Sequence, residues 1–362
     1  DELLKKIESD EFKIRPIEKK NEVLSFLRSE KLQDVSFSRK NVKWGIPLPW
    51  DKSHTVYVWA DAFLNYLTGL GWNGMIWEPS SHLGTRFPNH EGGLYFWPPD
   101  VQLMSKDILR VHATIWPAML LSLGLPLPKT IFVHGYFLIE GQKMSKLLGN
   151  VIAPGDLVKR YGVDGARYLL MSATTFGHDG DVGWKFFAEK YNADLANGIG
   201  NLVARSITLN QKMTDAGIKL QKTDGSKEVW GALGYLHKGI DETWKNYKEA
   251  LYNFKIDQAL SFIMGGGVSF ADSYITETKP WELIKNNDER ARSVMYNILE
   301  RIRHIAWMLW PFMPETAEEI WESLGLAPAE EMKKDFEKAT KWGGLPEDVK
   351  VKKGEILFPR LS

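Results

Sequence analysis

The sequence predicts an α/β domain followed by an all-α helix bundle, with the change of character near Trp184. Three observations carry this. Thr55–Trp59 reads as a buried strand that runs directly into a helix over Asp61–Leu67. Thr130–His134 is a second β-branched strand. Beyond Trp184, Phe187, Tyr191, Leu195, Ile199 and Leu202 recur at helical spacing.

Along the chain, Leu3, Leu4 and Ile7, then Val23, Leu24, Phe26 and Leu27, predict two short amphipathic helices separated at Pro16. The opening DELLKKIESDEF is acidic and amphipathic, unlike the basic leader and apolar run of a signal peptide. Residues 35–50 are rich in turn formers. Residues 71–99, dense in Gly, Pro and Trp without periodicity, suit an active-site loop or a small insertion. Val101–Met104 is a short strand, and Asp107–Leu123 is a helix that Pro117 kinks or ends. Pro154–Tyr161 and Asp164–Met171 are helices divided at Gly162. The stretch 228–264 carries Trp230, Leu233, Leu236, Ile240, Trp244 and Tyr252, then Phe254, Ile256 and Leu260. The stretch 289–309 carries Val294, Ile298, Ile302, Ile305 and Leu309, and Thr316–Leu324 adds a helix after Pro314. Long helices joined by polar loops make a bundle.

A length of 362 residues allows two domains, and 46 basic residues cancel 46 acidic ones. Net charge therefore gives no sign of a nucleic-acid partner, which would have to use a local basic patch. The absence of cysteine excludes a disulfide, a thiolate zinc site and a cysteine nucleophile, and no metal site is expected in this chain. The longest apolar stretch, near Ala118–Leu127, contains Ser122, Gly124 and Pro126 and is too short to cross a bilayer. A cytoplasmic location is expected, with an organelle as the alternative.

The most informative local feature is Gly141-Gln142-Lys143-Met144-Ser145-Lys146. A glycine and two lysines three apart follow a strand. Lysine is a flexible point charge, suited to following phosphate oxygens while negative charge builds on a leaving pyrophosphate. No GxxxxGK[ST] loop is present, so this is not a P-loop protein. A solvated basic turn is the plainer reading of the same residues.

With its flanking HG and GN, KMSK resembles the second signature of the class I aminoacyl-tRNA synthetases. The resemblance narrows to the methionyl-tRNA synthetase family through an ordered set of pieces: SFSR at Ser36–Arg39, WGIPLP at Trp44–Pro49, YVWADA at Tyr57–Ala62, KDI at Lys106–Ile108, WPAML at Trp116–Leu120, LGLPLPKTIFVHGYFLIEGQKMSK at Leu123–Lys146 and YNADLANGIGNLVAR at Tyr191–Arg205. The likeness covers nearly the whole chain and is weakest over 71–99 and 207–250. Three positions depart from the family pattern: Leu147 stands where serine is usual, Ser105 for a glycine, and Ile115 for an aromatic residue.

The resemblance implies a partial Rossmann-like class I synthetase catalytic domain followed by an all-α anticodon-binding bundle. Residues 1–35 would close a connective insertion, 36–148 form the second half of the catalytic domain, 149–184 a stem-contact linking domain, and 185–362 the anticodon-binding domain. Activity would be ATP-dependent ligation of methionine to tRNA(Met) through methionyl-adenylate, with ATP used as its Mg2+ complex. Lys146 first and Lys143 second would serve catalysis on the pyrophosphate side. ATP would be held by Lys143, Met144, Ser145, Lys146, His134, Gly135, Lys106 and Asp107. Methionine would be held by Trp59, His112, Trp116 and Asp61, a thioether packing well against ring edges. Asn201, Arg205, Pro280 and Trp281 would read the CAU anticodon, the first two by base-edge hydrogen bonds and the tryptophan by stacking.

Packing alone also accounts for Trp59, Trp116 and Trp281, and a capping role for His112. No HIGH-like signature precedes Trp44. The chain is thus expected to be the later part of the enzyme, needing a complementary amino-terminal chain that carries that motif and covers an open sheet edge. The competing expectation is a non-catalytic homologue that binds only tRNA or a protein.

Overall fold

Thr130–His134 is the strand around which the first part of the molecule is built, and its first four residues are buried. The computed structural model describes residues 1–29, 34–42, 44–72, 96–145, 147–223 and 236–361. They fall into two units that divide between Tyr136 and Phe137.

The first unit contains, in order, α1 (Glu2–Glu8), β1 (Lys13–Arg15), α2 (Ile17–Ser29), β2 (Ser38–Lys40), β3 (His54–Val56), α3 (Val58–Thr68), β4 (Gln102–Ser105), α4 (Leu109–Ala113), α5 (Ile115–Ser122) and β5 (Thr130–His134). β5 lies between β1 and β4, parallel to both, with Ile14 opposite Ile131 and Ser105 opposite His134. β2 and β3 form a separate antiparallel pair. Ile14, Ile131, Val133 and Met104 pack with Ile7, Phe12, Val23, Leu24 and Leu109 on helices and turns beside the sheet. A second cluster joins Phe63, Leu67, Trp97, Trp116, Leu120 and Leu125.

Three local differences from the sequence reading have physical causes. β1 is only three residues long, too short to leave a periodic signal, so the region read as purely helical also donates a strand. β3 ends at Val56, and extended Tyr57 (φ −69°, ψ 128°), whose N–H still bonds the Phe37 carbonyl at 2.8 Å, starts α3 at Val58. Trp59 therefore lies in the first turn of a helix rather than on the strand. The helix expected over Asp107–Leu123 is two helices broken at Thr114 (φ −129°, ψ −64°). A proline conflicts with the carbonyl four residues before it. Breaking the helix at Thr114 puts Pro117 in the first turn of α5, where its missing N–H costs nothing.

The second unit begins with β6 (Phe137–Ile139), β7 (Gln142–Lys143), α6 (Pro154–Ser172) and β8 (Gly180–Asp181), β6 pairing with both other strands. Gly162 (φ 73°, ψ 171°) interrupts α6 where the sequence places a break. Helices follow from Trp184: α7 (Trp184–Lys190), a π-helical segment (Tyr191–Gly200), α8 (Asn201–Asp215), α9 (Leu236–Tyr252), α10 (Ile256–Phe262), a second π-helical segment (Ile263–Ser269), α11 (Phe270–Thr278), α12 (Pro280–Lys285), α13 (Arg290–Leu309), α14 (Pro314–Ser323), α15 (Pro328–Glu331) and α16 (Phe336–Ala339). Trp230 and Leu233, and residues 73–95 of the Gly/Pro/Trp-rich segment, lie outside the described residues. Among the described residues no helix is long and apolar enough to cross a membrane.

α13 is the axis of the bundle, buried at every position from Val294 to Leu309. Its Glu300 accepts hydrogen bonds from Arg303 (2.7 and 2.8 Å) and from the backbone N–H groups of Gly343, Gly344 and Leu345 (2.8–2.9 Å). His304 Nε2 is 3.2 Å from the same carboxylate. Burial alone would raise the Glu300 pKa, but the hydrogen bonds from Arg303 and His304 and the charge of Arg303 hold it well below the ordinary carboxylate range. Since the folded-state value is depressed, this stabilisation is complete above the ordinary carboxylate range and is lost as pH falls toward the folded value. Glu300→Ala should cost about 3–5 kcal/mol in urea unfolding followed by circular dichroism, because it strands a buried guanidinium. A loss below about 1 kcal/mol would contradict the role given to this carboxylate.

Candidate functional site

In the first unit, the helical spacing of α3 puts Trp59, Phe63 and Tyr66 on one face, toward His112 of α4 and Trp116 of α5. His112 stands edge-on to Trp59 (5.6 Å, 80°) and to Phe63 (5.0 Å, 89°), and Phe63 stacks on Trp116 (5.4 Å, 19°). His112 Nδ1 is 2.9 Å from the Ile108 carbonyl, which can only accept, so Nδ1 carries the proton. Nε2 is then the acceptor for the Tyr66 hydroxyl at 3.1 Å. Burial lowers the His112 pKa, against a smaller opposing effect of the Ile108 bond. The imidazole is thus neutral and fixed in one tautomer. Trp116 is fully buried and its Nε1 has no hydrogen-bond partner. Trp59 is half-buried, Tyr66 is 43% exposed, and together they form the solvent side of this uncharged aromatic cluster. Asp61 is exposed and is not among the cluster's ring contacts.

Two parallel strands end side by side in the same unit. Ser105 closes β4 opposite His134, which closes β5. Past these ends lie Lys106, Asp107 and Gly135, at the sheet edge where α/β proteins hold ligands. The Lys106 ammonium sits 4.6 Å above the Tyr136 ring. The Ser105 hydroxyl donates to Asp107 Oδ1, and His134 Nδ1 donates to the Gly135 carbonyl at 2.8 Å.

In the second unit, β6 and β7 form a hairpin whose two-residue turn, Glu140-Gly141, has positive φ at both positions (51° and 73°). That is the turn type whose twist matches a hairpin. Gly141 N–H donates to Asp181 Oδ2 at 2.6 Å, so a carboxylate from β8 anchors the turn. The hairpin carries Lys143 exposed on β7 and half-buries Met144 against the helical core. Ser145 N–H donates to Asn150 Oδ1 at 2.8 Å. Leu147, where family members usually have serine, is 99% exposed. Lys146 lies outside the described residues. An open groove of 630 Å³ runs beside this loop, lined by Ile139, Val151, Asp181, Trp184 and Phe186 among others.

Farther along the same unit, α8 opens with exposed Asn201 and brings Arg205 to the same face one turn later. The preceding residue of a proline is disfavoured in the right-handed helical region, and Lys279 is left-handed (φ 45°, ψ 58°). That junction ends α11 and starts α12 with buried Pro280, presenting Trp281 39% exposed. The Arg205 guanidinium lies over the Trp281 ring, 5.2 Å from its centroid. The structure thus brings together Trp59, His112 and Trp116 in one cluster, Lys106, Asp107, His134 and Gly135 at one sheet edge, and Arg205 with Trp281.

Sequence reasoning missed Tyr66 and Phe63, whose signal was their i+7 and i+4 spacing from Trp59 once the helix starts at Val58. It also missed Asp181, forty residues from the turn it holds, for which no local signal exists.

Comparison with known proteins matches residues 1–207 to the family described as tRNA synthetases class I (M), and residues 234–356 to the anticodon-binding domain of tRNA ligase. The chain is similar to the methionine–tRNA ligase of Caldanaerobacter subterraneus subsp. tengcongensis, 40% identical over 364 residues covering 100% of this chain and 53% of that protein. For the Bacillus subtilis methionine–tRNA ligase the identity is 39%, with 100% and 52% coverage. The chain spans about half the length of these curated relatives. Among solved structures, Mycobacterium tuberculosis methionyl-tRNA synthetase in complex with methionyl-adenylate superposes with a TM-score of 0.84 at 32% identity, covering 99% of this chain and 67% of that one.

The state of His112 is open to direct measurement. Imidazole nitrogen NMR should find it neutral, protonated on Nδ1, at pH 7, because its folded pKa lies below the ordinary value near 6.5. Tyr66→Phe removes the donor that favours the neutral ring and should move the titration upward. A wild-type resonance titrating at or above the ordinary value would contradict the tautomer assignment.

Proposed function

Because the chain belongs to the tRNA synthetases of class I (M), we propose that it takes part in joining methionine to tRNA(Met) through methionyl-adenylate. A carboxylate oxygen of methionine forms a bond to the α-phosphorus of ATP while the bond to the bridging oxygen breaks. Pyrophosphate leaves with the electron pair. A ribose hydroxyl at the tRNA 3′ end then attacks the methionyl carbonyl, and AMP leaves. ATP enters as its Mg2+ complex. We place this chemistry in the cytoplasm.

The observation that carries the reading is the anchored hairpin. It is tied at its turn by Asp181 and at Ser145 by Asn150, and between those ties it exposes Lys143, three positions ahead of Lys146 in the chain. A loop held at its base that exposes Gln142 and Lys143 suits ammonium groups that follow a polyphosphate as charge moves onto the leaving group. Lys146 and then Lys143 would stabilise the pyrophosphate, with Met144 and Ser145 shaping the loop. Lys106, Asp107, His134 and Gly135, beyond the carboxyl ends of β4 and β5, would line the adenosine side. The rest of the ATP site, with the HIGH-like signature, would come from a segment outside residues 1–362, on the same polypeptide or on a complementary chain.

Methionine binding rests on the uncharged setting of His112. A thioether gains from ring edges and loses nothing to a neutral imidazole. Trp59, Trp116 and His112 would form the side-chain pocket, and Tyr66, whose hydroxyl bonds His112 at 3.1 Å, would join it. Asp61, exposed in the first turn of α3, would face the polar end of the amino acid. Asn201, Arg205, Pro280 and Trp281 would meet the anticodon, the indole supplying a stacking face.

In the complete enzyme, Lys146→Ala should slow methionine-dependent ATP–pyrophosphate exchange by roughly 100-fold or more while methionine affinity stays within about twofold. Equal losses in both would count against a transition-state role. Trp281→Ala should weaken tRNA(Met) binding by roughly 5- to 100-fold, the value of one stacked base, and leave exchange intact. An unchanged tRNA titration would refute the stacking assignment.

A further inference from the structure

Arg205 and Asp272 are near neighbours that do not bond. Asp272, on α11, is half-buried, and its Oδ1 is sealed from solvent without a hydrogen-bond partner. Burial raises its pKa, and the one opposing influence is the charge of Arg205. Arg205 makes no hydrogen bond among the described residues. Its guanidinium is instead laid over the Trp281 ring at 5.2 Å. A cation with five N–H donors thus stands near an unsatisfied carboxylate oxygen yet is held away from it by an aromatic face. The ring it covers is one that an RNA base would need, since stacking requires contact at about 3.5–4 Å over that area.

We propose that Arg205 is a removable cover on the Trp281 ring, and that Asp272 is the acceptor that receives the guanidinium when an RNA base stacks on the indole. The inference rests on the anticodon-binding reading of Trp281 and deepens it. In the free protein the cation occupies the platform and keeps the apolar ring from unspecific contacts. An incoming base takes the ring, and Arg205 turns to the orphaned Oδ1, exchanging a cation–π contact for a charge-assisted hydrogen bond. Its remaining N–H groups are then fixed in direction toward the base edge. Asp272 is a positioning residue: it acts on RNA through Arg205.

The proposal reverses a simple electrostatic expectation. A carboxylate beside a bound polyanion should repel it, so removing that charge should tighten binding. Here removal should weaken it. The test titrates an RNA hairpin carrying a CAU loop against the full chain and its variants. Asp272→Asn, which keeps shape and removes charge, should weaken binding about tenfold. In an Arg205→Ala background the same change should have little further effect, because the receiver has nothing to receive. Hairpins with 2-aminopurine at the stacked position should be less quenched when bound to Asp272→Asn than to wild type, a signal that a purely structural effect would not move. Tighter or unchanged binding by Asp272→Asn, or fully additive losses in the pair, would overturn the proposal. A Trp281→Ala variant that binds the hairpin as wild type does would overturn the anticodon reading beneath it, whereas loss in Trp281→Ala without Arg205–Asp272 coupling would overturn only this inference.

Discussion

A helix with no exposed face must satisfy every charge it carries from within, and α13 carries three charged residues and a histidine in its buried middle. Glu300, Arg301, Arg303 and His304 are each 0–1% exposed. On one side, Glu300 and Arg303 bond to each other and fasten the chain past α16. Glu300 takes three successive N–H groups, and Arg303 donates to the carbonyls of Ala339 (2.6 Å) and Lys341 (3.0 Å). Trp244 Nε1 donates to His304 Nδ1 at 2.9 Å. That bond leaves the proton on Nε2, toward Glu300, and Trp342 stacks on the ring (5.8 Å, 14°). Arg301 reaches the other way, to the carbonyls of Gly266 and Gly267 in the second π-helical segment. That segment runs straight into α11, which carries Asp272 and ends at the Lys279–Pro280 junction beside Trp281. The position of the Trp281 ring therefore depends on charges satisfied inside the bundle.

The first unit solves a related problem with the opposite result. Where α13 keeps its buried groups charged by pairing them, the aromatic cluster keeps His112 neutral by giving one nitrogen a carbonyl and the other a hydroxyl. Both arrangements follow from the same rule: a buried titratable group takes whichever protonation state its partners complete. The outcome differs because Glu300 has a guanidinium beside it and His112 has rings. A charged imidazole would favour an anionic ligand in this cluster. A neutral one favours an apolar, polarizable side chain, in keeping with a thioether.

The pattern of what was legible in the sequence follows from range. Thr130–His134 was readable because a buried parallel strand is continuously apolar and β-branched. The break at Gly162 and the helices after Trp184 were readable because glycine and a 3.6-residue period are local signals. β1 was not, since three residues cannot show a period and its partner lies more than a hundred residues away. The start of α3 was misplaced because Tyr57, Val58 and Trp59 favour strands as readily as helices. Of the site, Trp59, Trp116 and Arg205 came from an ordered set of short motifs, and His112 and Trp281 from the family positions that the set brings into register. Tyr66, Asp181 and Asp272 act through partners 46, 40 and 67 positions away, and nothing near them in the chain announces those contacts.

The central claim is that the aromatic cluster around His112, kept neutral by its two hydrogen bonds, suits an apolar and polarizable ligand. Hydrogen exchange of the complete protein, with and without a non-hydrolysable methionyl-adenylate analogue, tests this most directly. The account predicts that the analogue slows exchange within 105–116. Protection that leaves 105–116 unchanged would contradict it.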